Sequence, residues 1–427
     1  MAGSVAYPPR TYHLRVSEAS QSAVVRPGGA GSPPAEVYLH IGLPKTGTTY
    51  LQGVLWDSRE RLASHGVLVP GKRRMDQSFA VWDLLGRRPR DADQPGVAGS
   101  WATLVDRARS WGGSQVLVSE ELLAMASPRQ AARAVKAFAP APVHVVVTVR
   151  DLARVVVAAW QQEMVKGRTW SLDEYMAAVR DPSEGKATAG VAFWLRQDTV
   201  RLLEVWAKVV ASERVHLVTV PQPGAPAELL LDRFVAATGL PPGVVYTDQE
   251  PANESVGVAE TEVLRRLNQR LDGTLNERQY VRVVKRGVHP ALQARRSSKI
   301  EFPAEHRSWV IDASAAMVTS LRGSGYAVAG DLDDLLPVLG DDTAARQGEA
   351  SDSEVADAAL DALASVVQAY ATSWWQGKRR ERAASAPGVR QLASSQRALA
   401  YRARLAVLGL ADRNRLARWV VARRIRR

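Results

Sequence analysis

Between Tyr38 and Gln52 the chain reads YLHIGLPKTGTTYLQ, and Gly42 and Gly47 have the spacing of the phosphate-binding loop GxxxxGK[ST]. The lysine is displaced: Thr48 stands where that loop carries it, and Lys45 lies inside the turn. A lysine directly after the second glycine reaches the β and γ phosphates of a nucleoside triphosphate, so the change argues against ordinary triphosphate binding. The loop still suits an anion. Gly47 and its neighbours can turn N–H groups towards a ligand, a helix starting near Thr48 adds its N-terminal partial charge, and Thr46, Thr48 and Thr49 add hydroxyl donors.

Two further groups of residues end apolar runs. SQVLVSEELL places Ser119, Glu120 and Glu121 at the end of a strand-like run, and VHVVVTVRDLARVVVAAWQQ places Arg150 at the end of the most hydrophobic one, with Arg154 following. In parallel sheets the carboxyl ends of strands are where ligands bind, which makes Glu120, with Glu121 as the alternative, a candidate proton acceptor. The seven histidines show no HxxxH or HExxH spacing and the chain has no cysteine. No metal centre is therefore expected, and disulfides and thiolate chemistry are excluded.

The elements that must position these residues are legible from periodicity. EVYLHIG (Glu36 to Gly42) reads as a strand, and TTYLQGVLWDSRERLASHG as a helix reaching Gly66. SQVLVSEE is a strand, SPRQAARAVKAFA a helix capped by Ser127 with Pro128 at its first position, and PVHVVVTV a buried strand. A helix from Arg150, a helix from Trp194 to Lys208, the strand ERVHLVTV and the helix APAELLLDRFVAATGL follow, and GYAVAGDLDDLLPVLG closes the domain. Alternating strands and helices predict an α/β fold of three layers, a P-loop-like parallel sheet flanked by helices. The predicted organisation is a flexible Pro/Gly/Ser-rich segment over 1–35, an α/β domain over 36–340, an acidic linker over 341–360 and a basic helical C-terminal extension over 361–427.

Of the 427 residues, 46% are hydrophobic and 23% charged, an ordinary globular composition. The net charge of +12 is a property of the tail: Lys378 to Arg427 hold 15 basic and 2 acidic residues, so residues 1–377 are close to neutral. A basic helix with Leu, Val and Trp on one side suits an anionic membrane surface or a protein partner, and a solvated tail accounts for it equally; no motif for specific nucleic-acid binding accompanies the charge. No run approaches the roughly 20 apolar residues of a membrane span, and the expected location is the cytoplasm, with peripheral membrane contact through the tail. Arginine outnumbers lysine 47 to 9, as in GC-rich bacterial genomes.

PKTGTT between a strand and a helix resembles the 5′-phosphosulfate loop of the sulfotransferases that use 3′-phosphoadenosine 5′-phosphosulfate (PAPS), and FWLRQDTVRLLEVWAKVV, NESVGVAETEVLRRLN and GDLDDLLP are similar to bacterial members of that superfamily. The resemblance implies that PAPS is the sulfuryl donor and that Lys45, Thr46, Gly47, Thr48 and Thr49 hold its 5′ end, Lys45 meeting the phosphate that leaves. It implies that Arg150 and Arg154 serve the 3′-phosphate. Ala158 stands where the family carries a serine. The family's strand-end glutamate corresponds to Glu120, as base for a hydroxyl or amine on a small-molecule, carbohydrate or lipid acceptor. VKRG (Val284 to Gly287) reads either as a basic loop over the 3′ end or as a charged turn. A P-loop kinase or NTPase with a relocated lysine, and a non-catalytic scaffold, are the other classes the residues allow.

Overall fold

Alternate residues of a strand point to opposite faces, and here both faces are apolar, so each strand has to be covered on two sides. The computed structural model describes residues 36–87, 96–183, 187–245, 256–295, 297–340 and 350–385. The segment 1–35, the acidic stretch 341–349 and the basic tail 386–427 lie outside them. The described residues fall into two compact units, one within Met1–Asp272 and Arg296–Ser351, the other within Gly273–Arg295 and Asp352–Arg427.

The first unit is built on a six-stranded sheet, β1 (Glu36–His40), β2 (Val67–Leu68), β3 (Gln115–Ser119), β4 (Val143–Val149), β5 (Val215–Thr219) and β6 (Ala327–Ala329). All neighbours are parallel, in the order β2-β3-β1-β4-β5-β6. The architecture is the α/β sheet that the alternation predicts. Val37, Leu39, Val116, Val118, Val145, Val147 and Leu217 line one core, and Tyr38, Leu117, Val146 and Val218 the other. On the second face lie α1 (Thr48–Asp57) and α2 (Arg59–Ser64); on the first lie α3 (Asp76–Leu84), α4 (Ser100–Arg109) and α5 (Pro128–Ala137). Then come α6 (Leu152–Val165), α7 (Leu172–Arg180), α8 (Ala187–Gln197), α9 (Thr199–Ala207), α10 (Leu229–Thr238) and α11 (Val258–Leu271).

Local capping explains several boundaries. Ser127 and Gln130 form a reciprocal capping box with Pro128 at the first position of α5. The single helix expected from Trp194 to Lys208 is two, because the Asp198 carboxylate accepts from the Arg201 N–H at 3.1 Å and starts α9 afresh.

The second unit joins two separate stretches: α12 (Glu277–Tyr280), a π-helix (Val281–Val288) and α13 (His289–Gln293) from the middle of the chain, and, beyond α14 (Arg307–Arg322) of the first unit, the 34-residue α15 (Asp352–Ser385). Val284, Val288 and Leu292 are buried, as are Val355, Ala358 and Ala362 on one face of α15, and Arg295 pairs with Asp361. VKRG is thus helical, with Val284 turned inward, and the acidic residues from Asp352 onwards belong to a helix. No helix among the described residues is long and apolar enough to cross a membrane.

The second face of the sheet carries a polar cluster. His144 Nδ1 and His216 Nε2 are 2.9 Å apart, the Tyr38 ring stacks on His144 at 4.6 Å, and Tyr38 donates to the Glu36 carboxylate at 2.9 Å. Burial lowers the pKa of both histidines; Arg214 lowers His144 further, the neighbouring His144 lowers His216, and Glu36 opposes in each case. His40, fully buried, is pushed down to about 3 by burial. The fold holds His40 neutral and disfavours the charged form of the other two, whereas all three take up protons in the unfolded chain below about pH 6.5. Stability should fall as the pH is lowered through 6.5 towards 5, by up to about 1.4 kcal/mol per pH unit from His40, with His144 and His216 adding in the same direction. Urea unfolding across that range checks this, and His144→Gln combined with His216→Gln should flatten the slope.

Candidate functional site

Glycine spacing sets the loop, and the neighbouring strand gives it shape. β4 runs past the end of β1, and its Thr148 continues the pairing: the Thr148 N–H donates to the Gly42 carbonyl at 2.6 Å, and the Leu43 N–H donates to the Thr148 carbonyl at 3.0 Å. The chain then turns sharply. Gly42 (φ 110°) and Gly47 (φ 85°) take the left-handed region open to glycine, and Lys45 (φ 69°) takes it at a strain of about 1 kcal/mol. At Gly42 a Cβ would meet the Glu121 backbone at 3.2 Å, so this glycine also permits a close approach by the chain after β3.

Beneath the loop lies a buried chain of polar contacts. Ser119 Oγ is 2.7 Å from His40 Nδ1, His40 Nε2 is 3.3 Å from Thr148 Oγ1, Thr148 Oγ1 is 2.5 Å from Thr46 Oγ1, and Thr46 Oγ1 donates to the Leu43 carbonyl at 2.5 Å. Ser119 can donate to neutral His40, His40 Nε2 to Thr148, and the Thr148 hydroxyl donates to the Gly42 carbonyl at 3.0 Å. The tautomer is assigned from these contacts. Gln197 Nε2 donates to the Pro44 carbonyl at 2.8 Å, tying α8 to the same turn.

The upper side of the loop differs. Among the described residues no acceptor takes the backbone N–H groups of Lys45, Thr46, Gly47 or Thr48, and Gly47 caps α1 without a side-chain hydrogen bond. Successive N–H groups at a helix start form a concavity for an anion. Two half-buried cations stand beside it. Lys45 has its pKa lowered chiefly by burial, with Lys166 and Arg150 pressing the same way and Glu121 and Glu163 opposing. Arg150, on the adjacent strand end, donates from Nη1 to the Lys45 carbonyl at 3.3 Å and is brought to about 10 by burial and by Arg154. Its Nε is buried and has no partner among the described residues.

The remaining sequence candidates divide. Thr49 is exposed, whereas the Thr46 hydroxyl faces inward and the Thr48 hydroxyl donates to Glu121 Oε2 at 2.7 Å. Arg154 forms an ion pair with buried Asp151, the N-cap of α6, and donates to the Pro221 carbonyl at 3.1 Å. The two glutamates point different ways, since Glu120 is extended and consecutive side chains alternate. Glu121 meets the loop; Glu120 accepts from Ser78 Oγ at 2.6 Å. Burial raises the Glu120 pKa, Glu121 adds to the rise, and Ser78 and the Leu122 N–H oppose it.

Strand order makes these groups neighbours. β3, β1 and β4 are adjacent, with Ser119 and Val146 both in register with His40, so Glu120, the loop and Arg150 emerge along one edge. Residues 88–95, between α3 and α4, and 184–186, between α7 and α8, lie outside the described residues. A groove of about 490 Å³ lies elsewhere, between α4 and α5.

Thr148, Gln197, Ser78 and Lys166 have no motif in the sequence; Thr148 joins the site through strand order, and the others through the packing of α8, α3 and the end of α6. The fold also gathers Asp173, Glu305 and His306, with ligand-capable atoms within 4.8 Å of one another, a group that histidine spacing does not foretell. Two of the three are exposed carboxylates, which commonly cluster without an ion.

Neither a protein-family model nor a curated protein matches the chain. Among solved structures it is similar to a sulfotransferase from Alicyclobacillus acidocaldarius, at 16% identity over 57% of this chain and 96% of that one, with a TM-score of 0.34. A likeness that distant carries no argument about chemistry.

Thr148→Val keeps a β-branched strand residue but removes the hydroxyl between His40, Thr46 and Gly42. The variant should lose about 1–3 kcal/mol of stability, seen in denaturant unfolding, and Thr148→Ser should recover most of it.

Proposed function

We propose that the chain is a sulfotransferase that takes PAPS as donor and delivers its sulfuryl group to a hydroxyl or amine. The observation carrying this reading is the pairing of four uncommitted N–H groups with Lys45 inside the turn and Arg150 on the next strand end. The residues fit a donor with two anionic ends: the loop N–H groups and Lys45 suit the 5′ end, and Arg150, with an unpartnered buried Nε, suits the 3′-phosphate. Arg154, already paired with Asp151, holds α6 and adds positive potential behind Arg150. When bound, the donor supplies an activated sulfuryl group and leaves as adenosine 3′,5′-bisphosphate.

This chain's own work is electrostatic and acid–base. Lys45 and the loop N–H groups stabilise negative charge where it grows on the departing phosphate, and they do so most strongly in a partly desolvated site. Glu120, with its pKa raised chiefly by burial, accepts the proton of the acceptor hydroxyl. Glu121 orients Thr48 and moderates the loop's positive charge.

One contact favours a second reading. A carboxylate sharing a hydrogen bond with the loop threonine, as Glu121 does with Thr48, is also how a Mg²⁺-nucleotide site is prepared. Calorimetric titration of adenosine 3′,5′-bisphosphate, with ATP plus Mg²⁺ and adenosine 5′-monophosphate as controls, separates the two. Magnesium-independent binding that needs the 3′-phosphate, weakened about 10- to 100-fold by Lys45→Ala, is expected from loss of a charge-assisted contact. A preference for ATP with Mg²⁺ would overturn the sulfuryl-transfer reading.

Turnover should be bell-shaped in pH. The base acts deprotonated, so the rate rises as pH passes the raised pKa of Glu120; Lys45 acts protonated, so the rate falls as pH passes its lowered pKa. Glu120→Gln should abolish the rising limb and cost about 10²–10⁴ in rate, whereas Glu121→Gln should keep the limb.

A further inference from the structure

Helix α15 has two apolar faces, and the second unit uses one. Val355, Ala358 and Ala362 are packed inside. Leu360, Leu363, Val367, Tyr370 and Trp374 project from another side of the helix and are 47–70% exposed. Their spacing is 3, 4, 3 and 4 residues, an average of 3.5, which is the repeat that keeps a seam against a partner helix; a straight lipid- or solvent-facing helix has no need of it. Charge is polarised along the same helix. Asp352, Glu354, Asp357 and Asp361 occupy its first three turns, and Lys378, Arg379, Arg380 and Arg382, with only Glu381 against them, its last two.

A helix that is acidic at one end, basic at the other and apolar along a 3.5-residue seam is complementary to itself run backwards. We infer that α15 docks antiparallel on α15 of a second copy of this chain, making a two-fold homodimer with Val367 on the axis. Symmetry fixes the register. Leu360 meets the partner subunit's Trp374, Leu363 meets the partner subunit's Tyr370, and the acidic first turns of one helix lie level with the basic last turns of the other. Each seam has two Leu, one Val and two aromatic residues, and exposed Trp375 adds a third at its edge. Together the two seams offer on the order of 1,000 Å², the lower bound of a specific interface. A parallel pair would bury the same seam but set acidic end on acidic end and basic on basic, which opposes association.

The absence of cysteine makes the test clean. The full-length chain should sediment at twice the chain mass over a dilution series. Val367→Cys should form a disulfide-linked dimer on mild oxidation, because the two copies of that position meet on the axis. Leu360→Cys alone should not, whereas Leu360→Cys mixed with Trp374→Cys should give crossed dimers. Val367→Asp brings two carboxylates together on the axis and should raise the dimer dissociation constant more than about a hundredfold, with circular dichroism unchanged because the position is exposed. A monomeric wild type, a Val367→Asp variant as dimeric as wild type, or self-linking by Leu360→Cys as efficient as by Val367→Cys would each overturn the proposal; the last would mean a parallel pair.

Discussion

The extra length of β4 relative to β1 is the constraint on which the site depends. Because β4 continues past His40, the chain leaving β1 is still hydrogen-bonded through Gly42 and Leu43 to Thr148 before it turns. That fixed start lets three residues adopt positive φ without the loop collapsing. It also commits the threonine hydroxyls below the loop to one another, so the N–H groups above it stay available. The same pin places a polar chain at the centre of the sheet, and it is tolerable only because each buried group has a partner. His40 belongs to that chain as a neutral ring, and a proton on it would oppose the fold.

Charge at the site is arranged by burial as much as by pairing. Arg154 and Lys166 have carboxylates in direct contact, Asp151 and Glu163, so they shape the local potential. Lys45 and Arg150 make no ion pair among the described residues, and each is drawn below its ordinary pKa by desolvation. Keeping cations half-buried without a carboxylate partner is costly, and the proposed anionic donor would offset that cost. The consecutive glutamates show the complementary device. An extended backbone at Glu120 sends one carboxylate to the loop threonine and the other to Ser78, giving two residues of identical chemistry different surroundings.

The second unit obeys a different logic. Its helices come from stretches separated by the end of the α/β unit, and α15 is apolar on more than one side. One side satisfies its own unit, and the regular seam on another is paired in the proposed dimer. Polarised charge then selects orientation, a role electrostatics performs more reliably than it supplies affinity.

The α/β alternation, the glycine-bounded turn before α1, the Ser127 cap and the apolar run of β4 were legible in the sequence because each depends on residues within a few positions: a period of two, a period near 3.6, or a glycine pair at set spacing. The displaced lysine was equally plain. Other features required the tertiary structure. That Asp198 divides one expected helix into two reflects a cap winning over continuous apolar periodicity. The two-residue β2 is too short to carry a period, and the inclusion of Gly273–Arg295 with α15 leaves no local mark. The partners of Thr148 and Arg154, and the division of labour between Glu120 and Glu121, depend on which strand lies beside which and in what register. The sequence by itself determined the elements and the chemistry available at their ends; the tertiary structure alone decided which of those ends meet, because contacts across a sheet join residues about a hundred positions apart, and no local spacing encodes them.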